Sequence, residues 1–155
     1  MNRDQIVILG TGFQLLVHQK VYCTWEAYRQ IDKTAPEAFG ILIGGKSLDN
    51  EQYKLVEITE PKAGDLCSRT HFILKDPGHQ FIVNQRHVDS KGELAYLGTW
   101  HTHPEDVPYA SMTDIDDWKK CVKRNLDRQL FFVIVGLKKM VLYYYNENGL
   151  NRIEF

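Results

Sequence analysis

The chain has 155 residues, a length that suits one domain built around one substantial core. Its 43% of hydrophobic and 25% of charged residues are typical of a globular protein, and its net charge of −1 gives no electrostatic argument for nucleic acid or an anionic membrane as the main partner. No apolar run is long enough to span a bilayer.

The N-terminal stretch, MNRDQIVILGTG, lacks the apolar length and the small-residue cleavage site of a signal peptide. The three cysteines, Cys23, Cys67 and Cys121, are widely spaced and form no CxxC pair, which argues against a disulfide framework and against a thiol nucleophile. We therefore expect a single domain over residues 1–155, located in the cytoplasm.

Up to residue 88, the hydrophobic pattern predicts five strands and two helices. In chain order these are the strands Gln5–Leu9 and Gln14–Val17, the helix Lys20–Asp32, the strands Phe39–Gly44, Gln52–Thr59 and His71–Lys75, and a helix that opens at Asp76-Pro77-Gly78 and runs to about Val88. We place Phe81, Ile82 and Val88 on the inner face of this second helix.

The rest of the chain predicts a strand, a third helix and a hairpin. These elements are the strand Leu94–His103, which Pro104 ends, the helix Ser111–Leu126, the strands Leu130–Val135 and Met140–Tyr145 around a tight turn, and an edge strand Asn151–Phe155. The third helix has an apolar stripe, formed by Ile115, Trp118, Val122 and Leu126. We expect Trp100 to pack into the core. This order predicts one α/β domain of mixed α+β type.

The stretch GTWHTHPEDVPYASMTDIDDW, residues 98–118, concentrates side chains that bind metals. His101 and His103 are two apart in a predicted strand, so both imidazoles lie on one face and can reach one ion. A helix that begins at Ser111 places Asp114 in its first turn, and the loop before it is long enough to fold back over the strand end. Two imidazoles and a carboxylate, with a fourth position left for water, are typical of a catalytic zinc site.

Ordinary structural roles also fit parts of this pattern. Ser111-Met112-Thr113-Asp114 is a plausible helix-capping motif, and strands contain histidines for many reasons. Capping and catalysis compete for the hydroxyl of Ser111 but not for the carboxylate of Asp114. Local spacing alone leaves both interpretations open.

A carboxylate also lies in the segment PEAFGILIGG, residues 36–45. Glu37 stands where the chain enters a buried apolar strand, and packing does not need a carboxylate at that point. It is either the proton-transfer partner that a metal hydrolase requires or a solvated loop end.

Together, Glu37, the segment His101-x-His103-Pro and the segment Ser111-x-x-Asp114 resemble the JAMM (MPN+) zinc metallopeptidase motif, with seven residues between His103 and Ser111. The matching surroundings are the Pro-x-x-x-Gly-x-Leu-x-Gly frame around Glu37, the strand Tyr96–Trp100 and Pro108. The resemblance covers roughly residues 14–145, and the tryptophan before His-Thr-His-Pro is most similar to short stand-alone prokaryotic JAMM (Prok-JAB) proteins.

The resemblance implies a JAMM/MPN domain of cytidine-deaminase-like fold, with a curved mixed sheet flanked by about three helices. It implies that His101, His103 and Asp114 hold one Zn²⁺ per chain, that Glu37 takes a proton from the zinc-activated water, and that Ser111 donates a hydrogen bond to the oxyanion. The reaction it implies is hydrolysis of the bond after the C-terminal tail of a ubiquitin-like conjugated protein.

Relatives of this short form belong to mobile-element and anti-phage (CBASS-type) operons. The resemblance therefore implies a deubiquitinase-like isopeptidase that deconjugates a cyclic-nucleotide synthase, beside E1-like and E2-like conjugating enzymes, without direct binding of nucleic acid or membrane. The alternatives are a JAMM protease of sulfur-carrier and cofactor maturation, and an inert MPN interaction module. All five motif positions are filled, which argues against the inert module.

Four further histidines stand alone in the sequence, and we expect surface positions or satisfied hydrogen bonds for them. They are His18, His71, His79 and His87. Since no histidine follows His103, a second histidine-containing zinc site in the C-terminal half is not expected.

Overall fold

One large mixed sheet dominates the computed structural model, which describes residues 4–68 and 72–155. The strands are β1 (Gln5–Gly10), β2 (Phe13–His18), β3 (Phe39–Lys46), β4 (Gln52–Ile58), β5 (Leu66–Cys67), β6 (Phe72–Ile73), β7 (Ala95–Thr102), β8 (Phe131–Val135), β9 (Met140–Asn146) and β10 (Gly149–Glu154). The helices are α1 (Gln19–Ala27), α2 (Gly78–Asp89) and α3 (Met112–Arg124). Within the described ranges, no helix is long and apolar enough to cross a membrane.

Eight strands form the curved sheet in the order β1-β2-β4-β3-β7-β8-β9-β10, and β5 pairs with β6 in a separate small hairpin. The pairs β2–β4 and β7–β8 are parallel, whereas the other neighbours in the large sheet are antiparallel. The expected mixed α/β fold with a curved sheet and three helices is therefore confirmed. The predicted edge strand is β10, which pairs only with β9 in the described sheet.

Both faces of the central strands are covered. β8 reads FFVIV and is buried at every position. Phe131, Val133 and Val135 pack in the cluster that also holds the buried side chains of α1, whereas Phe132 and Ile134 pack against α3. A strand buried on both faces reads as a continuous apolar run rather than as an alternating one, which explains this sequence.

A bulge in β7 decides which of its side chains face α3. The register between β3 and β7 shifts by one residue at Leu97, next to Gly98, whose φ is +134°. Side chains three apart in a regular strand point to opposite faces, yet Leu97 and Trp100 both lie in the cluster on the α1 side. His101 consequently points to the other face, where its ring lies 6.4 Å from that of Trp118 in α3.

The first helix ends at Ala27, earlier than the predicted Asp32. Tyr28 is the C-cap, and the chain then turns inward so that Gln30, only 1% exposed, accepts a 2.8 Å hydrogen bond from Oγ1 of Thr102. The prediction was wrong because this hydrogen bond to a distant strand outweighs the local helical pattern.

The predicted inner face of the second helix was wrong for Phe81 and Val88, but Ile82 packs against the buried cluster of Ile41, Ile43 and Val83 as expected. Phe81 and Val88 are 67% and 70% exposed, whereas the buried residues of α2 are His79 and Val83. His79 takes an inner position because both ring nitrogens find buried partners, Thr59 and a carboxylate, which a residue-by-residue hydrophobicity pattern does not register.

Two predicted ends differ as well. Leu126 lies beyond the end of α3 and is 84% exposed, so it does not continue the apolar stripe. Of the predicted strand His71–Lys75, the structure has only the short β6, and His71 lies outside the described residues. Trp100, by contrast, is fully buried as expected.

The bulge predicts a large effect for Gly98→Ala. A Cβ at this position would lie 1.7 Å from the carbonyl oxygen of Phe131, and the backbone conformation is one that side chains rarely adopt. We expect the free energy of unfolding to fall by roughly 3 kcal/mol or more, measured by urea denaturation.

Gly12→Ala is the matched control, because Gly12 also has a positive φ but nothing lies within 4 Å of its Cβ position. It should cost only about 1 kcal/mol. Equal losses for the two variants would contradict the close approach of β7 and β8 at Gly98.

Candidate metal centre

A buried cluster of His101, His103 and Asp114 lies where β7 ends against the start of α3. The two Nε2 atoms are 3.0 Å apart, and each lies 3.3 Å from an oxygen of Asp114, Oδ1 for His101 and Oδ2 for His103. The candidate ligand atoms of the three residues all lie within 4.8 Å of one another. The sequence-predicted pair of histidines and the aspartate are thus brought together as expected.

The donor set fits a metal ion. Two imidazole nitrogens and one carboxylate oxygen are borderline ligands that zinc accepts, and three of them leave a coordination position open. Nδ1 of His103 lies 3.0 Å from Oε1 of Glu105, and a hydrogen on Nδ1 donated to this carboxylate leaves the lone pair of Nε2 facing the cluster. The arrangement is therefore compatible with a metal site, and the family motif favours zinc.

The pKa shifts of Asp114 and His101 favour the protonation states that bind metals, whereas that of His103 favours its protonated form in the metal-free protein. Burial raises the pKa of Asp114, but hydrogen bonds with His101 and His103 lower it by a larger amount together. The pKa of Asp114 therefore lies well below its usual range. Burial lowers the pKa of His101. An ionised carboxylate and a neutral imidazole are the forms that coordinate an ion. For His103, burial also lowers the pKa, but hydrogen bonding to Asp114 and the nearby negative charges raise it overall.

Ser111 and Asp114 form a capping box at the start of α3. Oδ2 of Asp114 accepts a 2.8 Å hydrogen bond from the backbone N of Ser111, and Oγ of Ser111 accepts a 3.1 Å hydrogen bond from the backbone N of Asp114. The expected competition for Ser111 does not arise, because capping uses an acceptor lone pair and leaves the hydroxyl hydrogen free to be donated. Ser111 is exposed, so solvent can reach this residue.

Glu37 is buried, with only 4% of its surface exposed, so its interpretation as a solvated loop end was wrong. Its Oε1 lies 3.9 Å from Nε2 of His103. Burial raises the pKa of Glu37 to about 7, although the charge of His103 lowers it and that of Asp114 raises it further. A carboxyl that titrates near neutral pH beside a candidate metal site is suited to proton transfer.

Hydrogen bonds on both sides hold the backbone around Glu37. Its own N donates to the carbonyl oxygen of Ser68 at 2.6 Å. The next residue, Ala38, donates to Oγ1 of Thr102 at 2.9 Å, and its carbonyl oxygen accepts from the N of Thr102 at 2.9 Å. Glu37 is thereby tied both to the strand that carries the histidines and to the loop that contains β5.

Sequence reasoning missed Glu105, Thr102 and Ser68 as supports of the site. The role of Glu105 could have been predicted from the sequence, since a carboxylate two residues after a metal-binding histidine is a natural partner for the second ring nitrogen of that histidine. The roles of Thr102 and Ser68 could not have been predicted in this way, because their contacts with the Glu37 segment join residues that are far apart in the sequence.

Fold and site together define a mixed α/β domain with a candidate metal centre at the end of a central strand. A family model described as prokaryotic homologs of the JAB domain matches residues 26–147, and the chain belongs to this family. The resemblance stated from the motif is therefore confirmed.

Three curated relatives bear the name CD-NTase/cGAS isopeptidase. The protein from Vibrio cholerae is 37% identical over 72% of this chain and 69% of its own length. The one from Escherichia coli is 32% identical over 89% of this chain and 86% of its own length, and the one from Pseudomonas aeruginosa is 35% identical over 73% and 71%. This chain is thus similar to proteins named as isopeptidases along most of their length.

A solved structure shows a likeness of fold. The solution structure of protein DSY2949 from Desulfitobacterium hafniense matches with a TM-score of 0.56 and 19% identity, over 88% of both chains. At this identity, the likeness concerns the fold alone.

The raised pKa of Glu37 predicts that this carboxylate destabilises the metal-free protein at neutral pH. The pKa of Glu37 is about 7 in the folded form and has its usual value of 4.5 in the unfolded form, so the contribution of this group to stability falls as the pH rises between these values. We expect Glu37→Gln to raise the free energy of unfolding by on the order of 1–2 kcal/mol at pH 8, after solvent screening.

The control is the same pair of proteins at pH 4, where both forms of Glu37 are protonated and the stabilities should agree. Urea denaturation of chelator-treated protein at the two pH values measures both differences. A loss of stability on Glu37→Gln at pH 8 would contradict this prediction. It would show that the ionised carboxylate stabilises the folded protein despite its burial.

Proposed function

We propose that this protein is a zinc-dependent isopeptidase that hydrolyses the bond after the C-terminal residue of a conjugated CD-NTase, a cyclic-nucleotide synthase, in a bacterial anti-phage system. The observation that carries the proposal is the buried carboxylate of Glu37, 3.9 Å from Nε2 of His103, beside the His101–His103–Asp114 cluster. The relatives named CD-NTase/cGAS isopeptidase support the substrate class.

Different residues of the chain have different roles in peptide hydrolysis. His101, His103 and Asp114 are the residues that would hold the zinc ion. When bound, zinc supplies Lewis acidity for the scissile carbonyl and for the attacking water. Glu37 takes the proton of that water and passes it to the leaving amine. Ser111 donates its hydroxyl hydrogen to the developing oxyanion while its lone pair continues to cap α3.

The surroundings of Ser111 suit an extended substrate. Tyr109 and Met112, on either side of Ser111, are 61% and 72% exposed, so the approach to this edge of the site is open. An extended C-terminal tail needs such an open approach, whereas a small metabolite is usually enclosed. The proposal includes a single catalytic domain over residues 1–155, located in the cytoplasm, with E1-like and E2-like enzymes that form the bond it hydrolyses.

The first prediction concerns the metal. The purified protein should hold about one zinc ion per chain, and a strong chelator should abolish hydrolysis while the far-UV circular dichroism is retained, because the core does not depend on the ion. His101→Ala and Asp114→Ala should lose both zinc and activity, measured by metal analysis and turnover.

Glu37→Gln is the matched control for this series, since it lies beside the cluster without supplying a ligand. It should keep its zinc and lose activity by at least about 100-fold, as expected for the loss of a general base. Substantial activity in Glu37→Gln would contradict the role of Glu37 in proton transfer. Full activity of zinc-free wild-type protein would contradict the role of the metal in hydrolysis.

The second prediction concerns the substrate. A reporter protein fused after the C-terminal residue of a CD-NTase should be cut at the junction, and the reaction in ¹⁸O water should label the new CD-NTase carboxylate. Alkylation of Cys23, Cys67 and Cys121 should leave the rate unchanged, because hydrolysis needs no thiol nucleophile.

A CD-NTase that lacks its last few residues before the junction is the control substrate and should not be cut, since the tail must reach the site. Equal cleavage of short unrelated peptides would instead indicate a general peptidase. Cleavage of a sulfur-carrier fusion but not of the CD-NTase fusion would favour the maturation protease, and no cleavage of any fusion would favour the interaction module.

A further inference from the structure

A second polar cluster, separate from the candidate metal centre, lies buried between β4, α2 and the loop that joins them. Nδ1 of His79 lies 2.6 Å from Oγ1 of Thr59, and Nε2 of His79 lies 2.6 Å from Oδ2 of Asp65. The exposure of Thr59 and His79 is 2% and 1%, and that of the Asp65 side chain is 1%. We call these three residues the buried triad.

The buried triad has the hydroxyl–imidazole–carboxylate order of a nucleophilic hydrolase, but it does not act as one. Oγ1 of Thr59 accepts a 2.8 Å hydrogen bond from the backbone N of Ile41, and its burial leaves no path to a substrate. In the neutral tautomer that carries its hydrogen on Nε2, His79 accepts a hydrogen bond from the Thr59 hydroxyl at Nδ1 and donates one from Nε2 to Asp65.

Burial of a carboxylate is costly unless hydrogen bonds replace its water. Besides His79, the side chain of Asp65 accepts backbone hydrogen bonds from Lys62, Lys75 and Asp76 at 2.9, 2.7 and 2.8 Å. Burial raises the pKa of Asp65, but these hydrogen bonds lower it to about 2, so the group is ionised at neutral pH. Buried polar groups can select one conformation of a chain segment, and the buried triad holds this loop through three backbone hydrogen bonds to Asp65.

The conformation that it selects is tied to the central strands. Thr59 forms two hydrogen bonds with Ile41 of β3, through its Oγ1 and through its backbone N, which donates to the carbonyl oxygen of Ile41 at 2.9 Å. The carbonyl oxygen of Thr59 accepts from Nε1 of Trp100 in β7 at 2.9 Å. His79 lies in the first turn of α2, and Asp65 lies in the loop between β4 and α2. The hydrogen bonds of the buried triad therefore connect β3, β7, α2 and this loop.

The loop then reaches the candidate general base. Three residues after Asp65, the carbonyl oxygen of Ser68 accepts the 2.6 Å hydrogen bond from the backbone N of Glu37. Only the short strand β5 lies between Asp65 and Ser68, so the anchored carboxylate and this carbonyl are three residues apart in one loop. On its other side the Glu37 segment is held by Thr102, which does not touch the buried triad in the contacts described above.

We propose that the buried triad of Thr59, His79 and Asp65 positions Glu37, by fixing the loop whose Ser68 carbonyl holds the Glu37 backbone. His79 and Asp65 are then positioning residues for the general base, and their catalytic consequence rests on the proposed function. A displacement of about 1 Å at a reacting group can cost on the order of 100-fold in rate, so a small loop movement is enough to matter.

The test compares His79→Ala and Asp65→Asn with His87→Ala, residue by residue, in amide hydrogen exchange. His87 is the matched control because it lies in the same helix and contacts the carbonyl oxygen of Leu94, away from Glu37. We expect protection of the Glu37 amide to fall at least about tenfold more, in the first two variants, than protection of the amide of Ile134 in β8, which reports global opening. His87→Ala should leave both unchanged.

The kinetic arm uses the zinc-loaded variants and the CD-NTase fusion. His79→Ala and Asp65→Asn should lower kcat by roughly 10- to 100-fold with KM within about threefold and with zinc content as in the wild type, because the candidate ligands and the open approach beside Ser111 lie outside the buried triad. If His79→Ala does not fold, Asp65→Asn decides, since it keeps the size of the side chain and an acceptor oxygen for the backbone N atoms of Lys75 and Asp76.

Unchanged protection of the Glu37 amide in a folded variant would overturn the proposal, whatever its activity. Lost protection of the Glu37 amide with unchanged kcat would show that the buried triad holds Glu37 but that its position does not affect the rate, which would overturn the catalytic part of the proposal. If the wild type cleaves no fusion at all, the proposed function fails, while the exchange measurement still decides whether the buried triad holds Glu37.

Discussion

The antiparallel pairing of β3 with β7 is the constraint on which the rest of the site depends. Its register sets Phe39 opposite His101, which brings the segment that begins at Glu37 beside the end of the strand that carries the histidines. The bulge at Gly98 then turns the histidine side of β7 towards α3. A shift of this register by one residue would move His101 to the α1 side of the sheet, because side chains alternate along a strand.

Two buried carboxylates near this pairing, Asp114 and Asp65, are stabilised by hydrogen bonds that also build the fold. Asp114 caps α3 through the backbone N of Ser111 while its oxygens face the two histidines. Asp65 closes its loop through three backbone amides and His79. Glu37 differs, since burial raises its pKa to about 7 and its charged form is the least favoured of the three. This contrast is consistent with two carboxylates that organise structure and one that exchanges a proton.

The mistaken expectations have a common physical cause. The first helix was extended to Asp32, and Phe81 was placed inside, because helical periodicity counts apolar residues only. In the structure Gln30 and His79 take inner positions, since each finds buried hydrogen-bond partners on a distant element. Polar residues with such partners override the local pattern, and their partners cannot be identified from nearby sequence.

By itself, the sequence determined the mixed α/β class, the strand that carries His101 and His103 on one face, and the capping segment that contains Asp114. These features depend on local periodicities and on a motif of closely spaced residues, so they can be read along the chain. Only the tertiary structure decided that Glu37 is buried, that Glu105 lies beside the ring of His103, and that Thr59, His79 and Asp65 form a buried triad. These depend on burial and on contacts between distant segments, which arise only when the strands pair.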